Sequence, residues 1–155
     1  MTKMFLSLHV LAAVLAIGPV TVAASMFPGA LRRTDGDHGD RDALVTLRTL
    51  HRICRVYAAI GIAVPVFGFA TAAGFGVLGN GWLITSILLT AAAAANLALL
   101  ILPAQDDALA AAGTIGSAAG SIYAGRLAML TGVFNLLWAT VTVLMIIRPG
   151  STTGA

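Results

Sequence analysis

Three histidines and a single cysteine are the side chains of this sequence best suited to bind a metal or carry a proton. His9 opens a stripe with Ala13, Ala16, Val20 and Ala23 that returns to one face of a helix every three or four residues. A neutral imidazole in that position is a candidate transition-metal or haem ligand, and equally a hydrogen-bonding group inside a helical bundle. His51 stands among Arg48, Arg52 and Arg55, whose i, i+4, i+7 spacing makes a basic strip on a helix, with His51 adjoining the same broad face. Anionic lipid headgroups are the least demanding partner for such a strip. The propionates of a porphyrin, another anionic ligand, an acidic partner, or pairing with Asp106 or Asp107 are the alternatives. Cys54 lies between these basic groups without a neighbouring nucleophilic constellation, which reads as a quiet buried thiol. His38, among loop aspartates, reads as solvated. No Ser-His-Asp, Cys-His or paired-carboxylate arrangement in the apolar segments supports hydrolysis, so no catalytic or metal site is assigned.

Two amides complete the set. Asn96 and Asn135 lie in apolar surroundings, roughly 9 and 13 Å from the nearer ends of their spans at 1.5 Å per residue. That similarity predicts an interhelical amide pair, with a pore or ligand contact as the alternative. Thr131, Asn135, Trp138, Thr142 and Met145 share a helical stripe that would line a groove or form a seam of the bundle. Trp82 suits a membrane interface, whereas Trp138 falls nearer mid-membrane and needs a partner for its indole N–H.

The elements that position these groups follow from the charge distribution. Of 155 residues, 59% are hydrophobic and 10% charged, against roughly 25% charged in soluble domains. Mean hydropathy is +0.95. These values exclude an ordinary cytosolic enzyme, a secreted disulfide scaffold and a nucleic-acid binder, and predict an all-α polytopic membrane protein, a four-transmembrane-helix bundle forming one domain over residues 1–155. Spans are predicted at residues 4–28, 49–73, 82–102 and 126–147. GFGVLGNG at 74–81 marks a tight turn between the second and third. Pro103, Asp106 and Asp107 are expected to end the third, and residues 108–125 read as a loop with a short helix or as an extension of the fourth. The first loop, from Arg32 to about Thr46, is the strongly polar stretch. Val22 and Ala24 fit a signal-cleavage pattern, but the apolar run continues past Ala24 and Lys3 alone precedes it, so the first span is expected to be retained.

Seven of the nine basic residues, Arg32, Arg33, Arg41, Arg48, Arg52, Arg55 and Arg126, fall in the first and third connections, leaving Lys3 and Arg148 on the other side. The positive-inside rule then places the arginine-rich connections in the cytoplasm and both termini outside a bacterial inner or plasma membrane. Small residues at helical spacing, including Gly61, Gly68, Ala72 and the run from Ala91 to Ala95, allow close helix approach inside the chain or in a homo-oligomer or larger complex.

LSLHVLAAVLAIGPVTVAA near the start and HRICRVYAAIG at the head of span two resemble a family of small bacterial integral-membrane proteins with a domain of unknown function. More distantly, His9 on its small-residue helix resembles the first span of copper-resistance D-like proteins and of haem-handling, protoporphyrinogen-oxidase-like membrane proteins. The resemblance covers mainly residues 5–62. It implies haem binding at His9. The helix-borne lysine of those relatives has no counterpart, since Lys3 is the sole lysine, and the copper reading lacks a Met-and-His cluster.

The function expected is therefore a small noncatalytic membrane component that packs with lipid, anionic at the cytoplasmic side, or with another membrane protein. The alternative is a haem- or porphyrin-handling protein or oxidoreductase accessory, with His9 or His51 as ligand. An oligomeric small-solute transporter is the weaker alternative, because no span carries an acidic residue suited to proton coupling.

Overall fold

The computed structural model describes residues 2–34, 41–112 and 119–149, and the described residues contain helices and turns without a strand. The helices are α1 (Thr2–Arg33), α2 (Arg41–Ile60), α3 (Ala63–Phe75), α4 (Gly81–Ala95), a π-helical segment (Asn96–Ile101), α5 (Leu102–Ala112) and α6 (Ala119–Ile147). They make four helical columns, α1, α2–α3, α4–π–α5 and α6, each long and apolar enough to cross a membrane. The protein is a multi-pass, all-α helical bundle.

Each column reflects its local sequence. Span two is continuous except at Gly61 and Ile62, where Pro65 supplies no N–H for the Gly61 carbonyl. Val64 N–H takes that carbonyl at 3.1 Å from three residues on, and the following bond, from Val66 to Ile62, is stretched to 3.5 Å. The column breaks into α2 and α3 there. Gly76 ends α3 in the left-handed region (φ 68°), where its own N–H reaches Ala73 and the Val77 N–H reaches back to Ala72 O at 3.2 Å. The turn expected from GFGVLGNG is thus a glycine-capped helix end.

The third column departs from expectation. Pro103, Asp106 and Asp107 do not stop it: the helix runs to Ala112. Immediately before the proline the backbone widens into a π turn, with the Leu102 N–H bonded to Leu97 O. A wider turn relieves the clash of the Pro103 ring with the preceding turn and absorbs its missing donor. Tertiary packing holds the extension, since Ala104, Gln105 and Ala108 are buried. The polar first connection is likewise shorter than expected, because α2 starts at Arg41 rather than after Thr46. Residues 119–125 belong to α6, as the extension reading has it, while 113–118 and His38 lie outside the described residues.

The core stripe of α1 is Ala16, Val20, Ala23, Ala24, Phe27 and Leu31, so the small-residue face that begins at His9 does turn inward. The large side chains under 2% exposed, Phe27, Leu31, Leu47, Ile101 and Leu127, all lie toward the arginine-rich end of the bundle. There α2 packs on α1 and α5. Toward the other end α3 rests on α1 and α4 on α6, and α3 and α4 share no extensive contact. The bundle is therefore tight at one end and parted between spans two and three at the other.

Candidate functional site

Two polar stations and one basic strip emerge. At the first, His9 of α1 sits beside the first turn of α3: its Nδ1 lies 2.8 Å from the Val64 carbonyl oxygen. A carbonyl only accepts, so Nδ1 carries a proton, and in the neutral ring the lone pair is then on Nε2. The ring fits there because residue 68 is glycine; a Cβ at that position would stand 3.0 Å from His9 Cε1. The sequence stripe placed His9 on the inward face but named no partner for it.

At the second station, His51 is 7% exposed, and its Nδ1 donates to Gln105 Oε1 at 3.0 Å. The same amide turns its Nε2 to Cys54 Sγ at 3.7 Å. His51 Nε2 also comes within 3.0 Å of Asp106 Oδ1, but without the geometry of a hydrogen bond. Gln105 ties α2 to α5 through both ends of one amide. Sequence reasoning missed it because the helix was expected to end before it; its signal was an uncharged amide in the register Gln105, Ala108 and Ala112 of a helix continued past Pro103.

Burial, rather than helical register, separates His51 from the arginines, since Arg48 and Arg55 lie three and four residues from it and so flank it on the helix. Arg48, Arg52 and Arg55 are exposed, whereas His51 and Cys54 are buried on the inward side of α2. Within the broad face expected for His51 and the strip, His51 takes the inward edge and points at α5, while the arginines take the outward edge. Asp106 faces His51, and among the described residues none of the three arginines forms an ion pair.

The predicted Asn96–Asn135 pair does not form. Asn96 Nδ2 donates to the Leu130 carbonyl at 2.9 Å, and Asn135 Nδ2 approaches Ser25 Oγ at 3.3 Å. Leu130 lies five residues before Asn135, about 7.5 Å along the helix, so the amides occupy different levels. The depth estimate failed because it measured from a helix end at 102 that is not an end. Each amide oxygen stays buried without a partner.

At the far end of the bundle the Arg148 guanidinium lies 5.7 Å from the centroid of the Trp82 ring. Trp138, deeper in α6, meets Phe134 edge-to-face at 6.2 Å, and its indole nitrogen is buried without a partner. Among the described residues no three His, Cys, Asp or Glu side chains converge as a metal site would require. His9 and His51 contact different partners, and the level of His9, marked by Val64, is 13 residues or about 20 Å along span two from His51.

No known protein family, curated protein or solved structure matches the chain.

Proposed function

We propose that the chain is a small noncatalytic component of a bacterial inner or plasma membrane, holding anionic lipid at one end of its bundle and packing against another membrane protein or a second copy of itself. The division of its polar groups supports this reading. Inside the spans His9, His51, Gln105 and Asn96 bond to other helices of the same chain, while Arg48, Arg52 and Arg55 stand exposed. Large apolar side chains such as Val14, Ile62, Leu99, Leu136 and Ile146 cover the outside. Lipid tails solvate such a surface at no cost, and juxtamembrane guanidiniums attract anionic headgroups at about 1 kcal/mol each. By the positive-inside rule the arginine end faces the cytoplasm and the termini lie outside.

Native mass spectrometry of the protein released from its membrane tests the reading. Retained anionic lipid should fall when Arg48, Arg52 and Arg55 all become Gln; unchanged retention would overturn it.

One observation favours a second reading. Metal-ligating imidazoles donate their other N–H to a carbonyl or carboxylate, which fixes the tautomer, and His9 does this with Val64. His51 does not fit the role, because Gln105 takes one nitrogen and Asp106 faces the other. The cavity between spans two and three, about 170 Å³, is not lined by His9 and falls below the roughly 300–1,000 Å³ of ordinary ligand pockets, so it does not supply His9 with a haem pocket. The arrangement therefore ranks second. Haem titration of the intact protein and His9→Ala, followed by absorption and magnetic circular dichroism, discriminates: stoichiometric histidine-ligated binding lost in the variant supports it, and nonspecific binding in the intact protein removes it.

A further inference from the structure

Where spans two and three part, a partly open cavity of about 170 Å³ lies between the helices. Its walls include Ala58, Ile62 and Pro65 of span two, Thr90 and Ala94 of span three, and Trp138 of α6. Two local features make it. The break at Gly61–Ile62 ahead of Pro65 interrupts span two at this level, and alanines and a threonine on α4 give span three little bulk to fill the gap. Thr90 spends its hydroxyl on the Ser86 carbonyl at 2.7 Å, so it presents its methyl side as wall. The lining is almost wholly apolar. An apolar cavity of about 150 Å³ stays dry and admits a benzene-sized solute, so this one suits a segment of a single hydrocarbon chain.

The basic strip lies in register with it. Positions seven apart on a helix differ by about 20° in direction and about 10 Å in height. Arg48, Arg55 and Ile62 are spaced by sevens, so they climb one line along span two, and Ile62, itself 66% exposed, stands at the cavity with Arg55 about two turns below. Among the described residues none of the three arginines is held in an ion pair, which leaves the guanidiniums for a group arriving from the membrane.

We propose that this cleft holds one acyl chain of an anionic phospholipid whose headgroup rests on Arg48 and Arg55. The inference rests on the lipid-binding reading above and adds a defined seat to it. About two helical turns separate a headgroup at Arg55 from chain carbons at Ile62, as an extended lipid standing along the helix requires. Trp138 in the cavity wall then reports occupancy.

The test uses the full-length protein in nanodiscs with Trp82→Phe, so that Trp138 is the sole tryptophan. Phosphatidylglycerol or phosphatidylcholine brominated on the chains is titrated into unlabelled phosphatidylcholine, and Trp138 quenching is followed. Quenching by brominated phosphatidylglycerol should saturate at about fivefold lower mole fraction than by brominated phosphatidylcholine, the discrimination expected of one guanidinium contact near the surface. Ala94→Phe, which fills the cleft, and Ile62→Phe, which narrows its mouth without entering the core, should each abolish saturable quenching. Both should leave copurified anionic lipid unchanged, because the strip is intact. Arg48→Gln with Arg55→Gln should keep quenching but remove the headgroup preference.

Equal quenching by the two lipids in the parent, or saturable quenching that survives both cleft variants, overturns the proposal. Either result with anionic-lipid retention still lost in the triple Gln variant leaves the lipid-binding reading standing; retention that never depended on the arginines removes both.

Discussion

The imidazole of His9 lies against the α-carbon of Gly68, so closely that a methyl group there would meet Cε1 at 3.0 Å. The same ring is tied to the Val64 carbonyl one turn earlier. Close approach and hydrogen bond are one device: the glycine admits the ring that caps a carbonyl beside the break in span two. Gly68→Ala should push His9 off Val64 and cost stability of about 1–3 kcal/mol. Gly132, with open space where its Cβ would be, is the control. Gly132→Ala should be neutral or stabilise by up to about 1 kcal/mol through helix propensity. Reversible unfolding in mixed micelles measures both, and equal effects would contradict the assigned contact.

The His51–Gln105 bond should appear as a coupling energy between α2 and α5. Interhelical hydrogen bonds in membranes average about 0.6 kcal/mol and reach about 1.7, and this one is buried, at 3.0 Å. A double-mutant cycle of His51→Phe and Gln105→Leu is expected to fall within that range. Zero coupling would mean the amide does not join the helices.

Asn96 and Asn135 should behave oppositely. They bond to Leu130 O and Ser25 Oγ rather than to each other, so the losses from Asn96→Leu and Asn135→Leu should add within about 0.3–0.5 kcal/mol. A coupling above 1 kcal/mol in the same unfolding assay would restore the direct pair.

At the opposite end, Arg148 over the Trp82 ring fastens the last turn of α6 to the first turn of α4. Arg148→Gln should lower stability by about 0.5–1 kcal/mol and shift the Trp82 emission in a Trp138→Phe background. Unchanged emission and stability would show that the guanidinium does not rest on the ring.

Orientation is open to labelling. In a Cys54→Ala background, single cysteines replacing Gly79 and Ser151 should react with an impermeant maleimide from outside the cell, and one replacing Gly39 should react only after permeabilisation. The reverse pattern would invert the bundle and move the arginine strip to the outer face.

Composition and the spacing of charged residues were enough to read the number of columns, their helical character, the inward stripe of α1 and the turn at Gly76, because these depend on local chemistry: apolar length, helical period and glycine at a positive φ. Where each polar group finds its partner depends on relations between columns. His51 and Arg48 read as one face until packing against α5 turned the imidazole to Gln105. The two asparagines read as level until the π turn before Pro103 carried the third helix on to Ala112. Helix ends, register and depth are set by neighbouring helices, which satisfy a buried amide or hold a helix past a proline wherever the packing places them. The cleft below Trp138 has the same origin, since a void lies between helices and belongs to no segment of the chain.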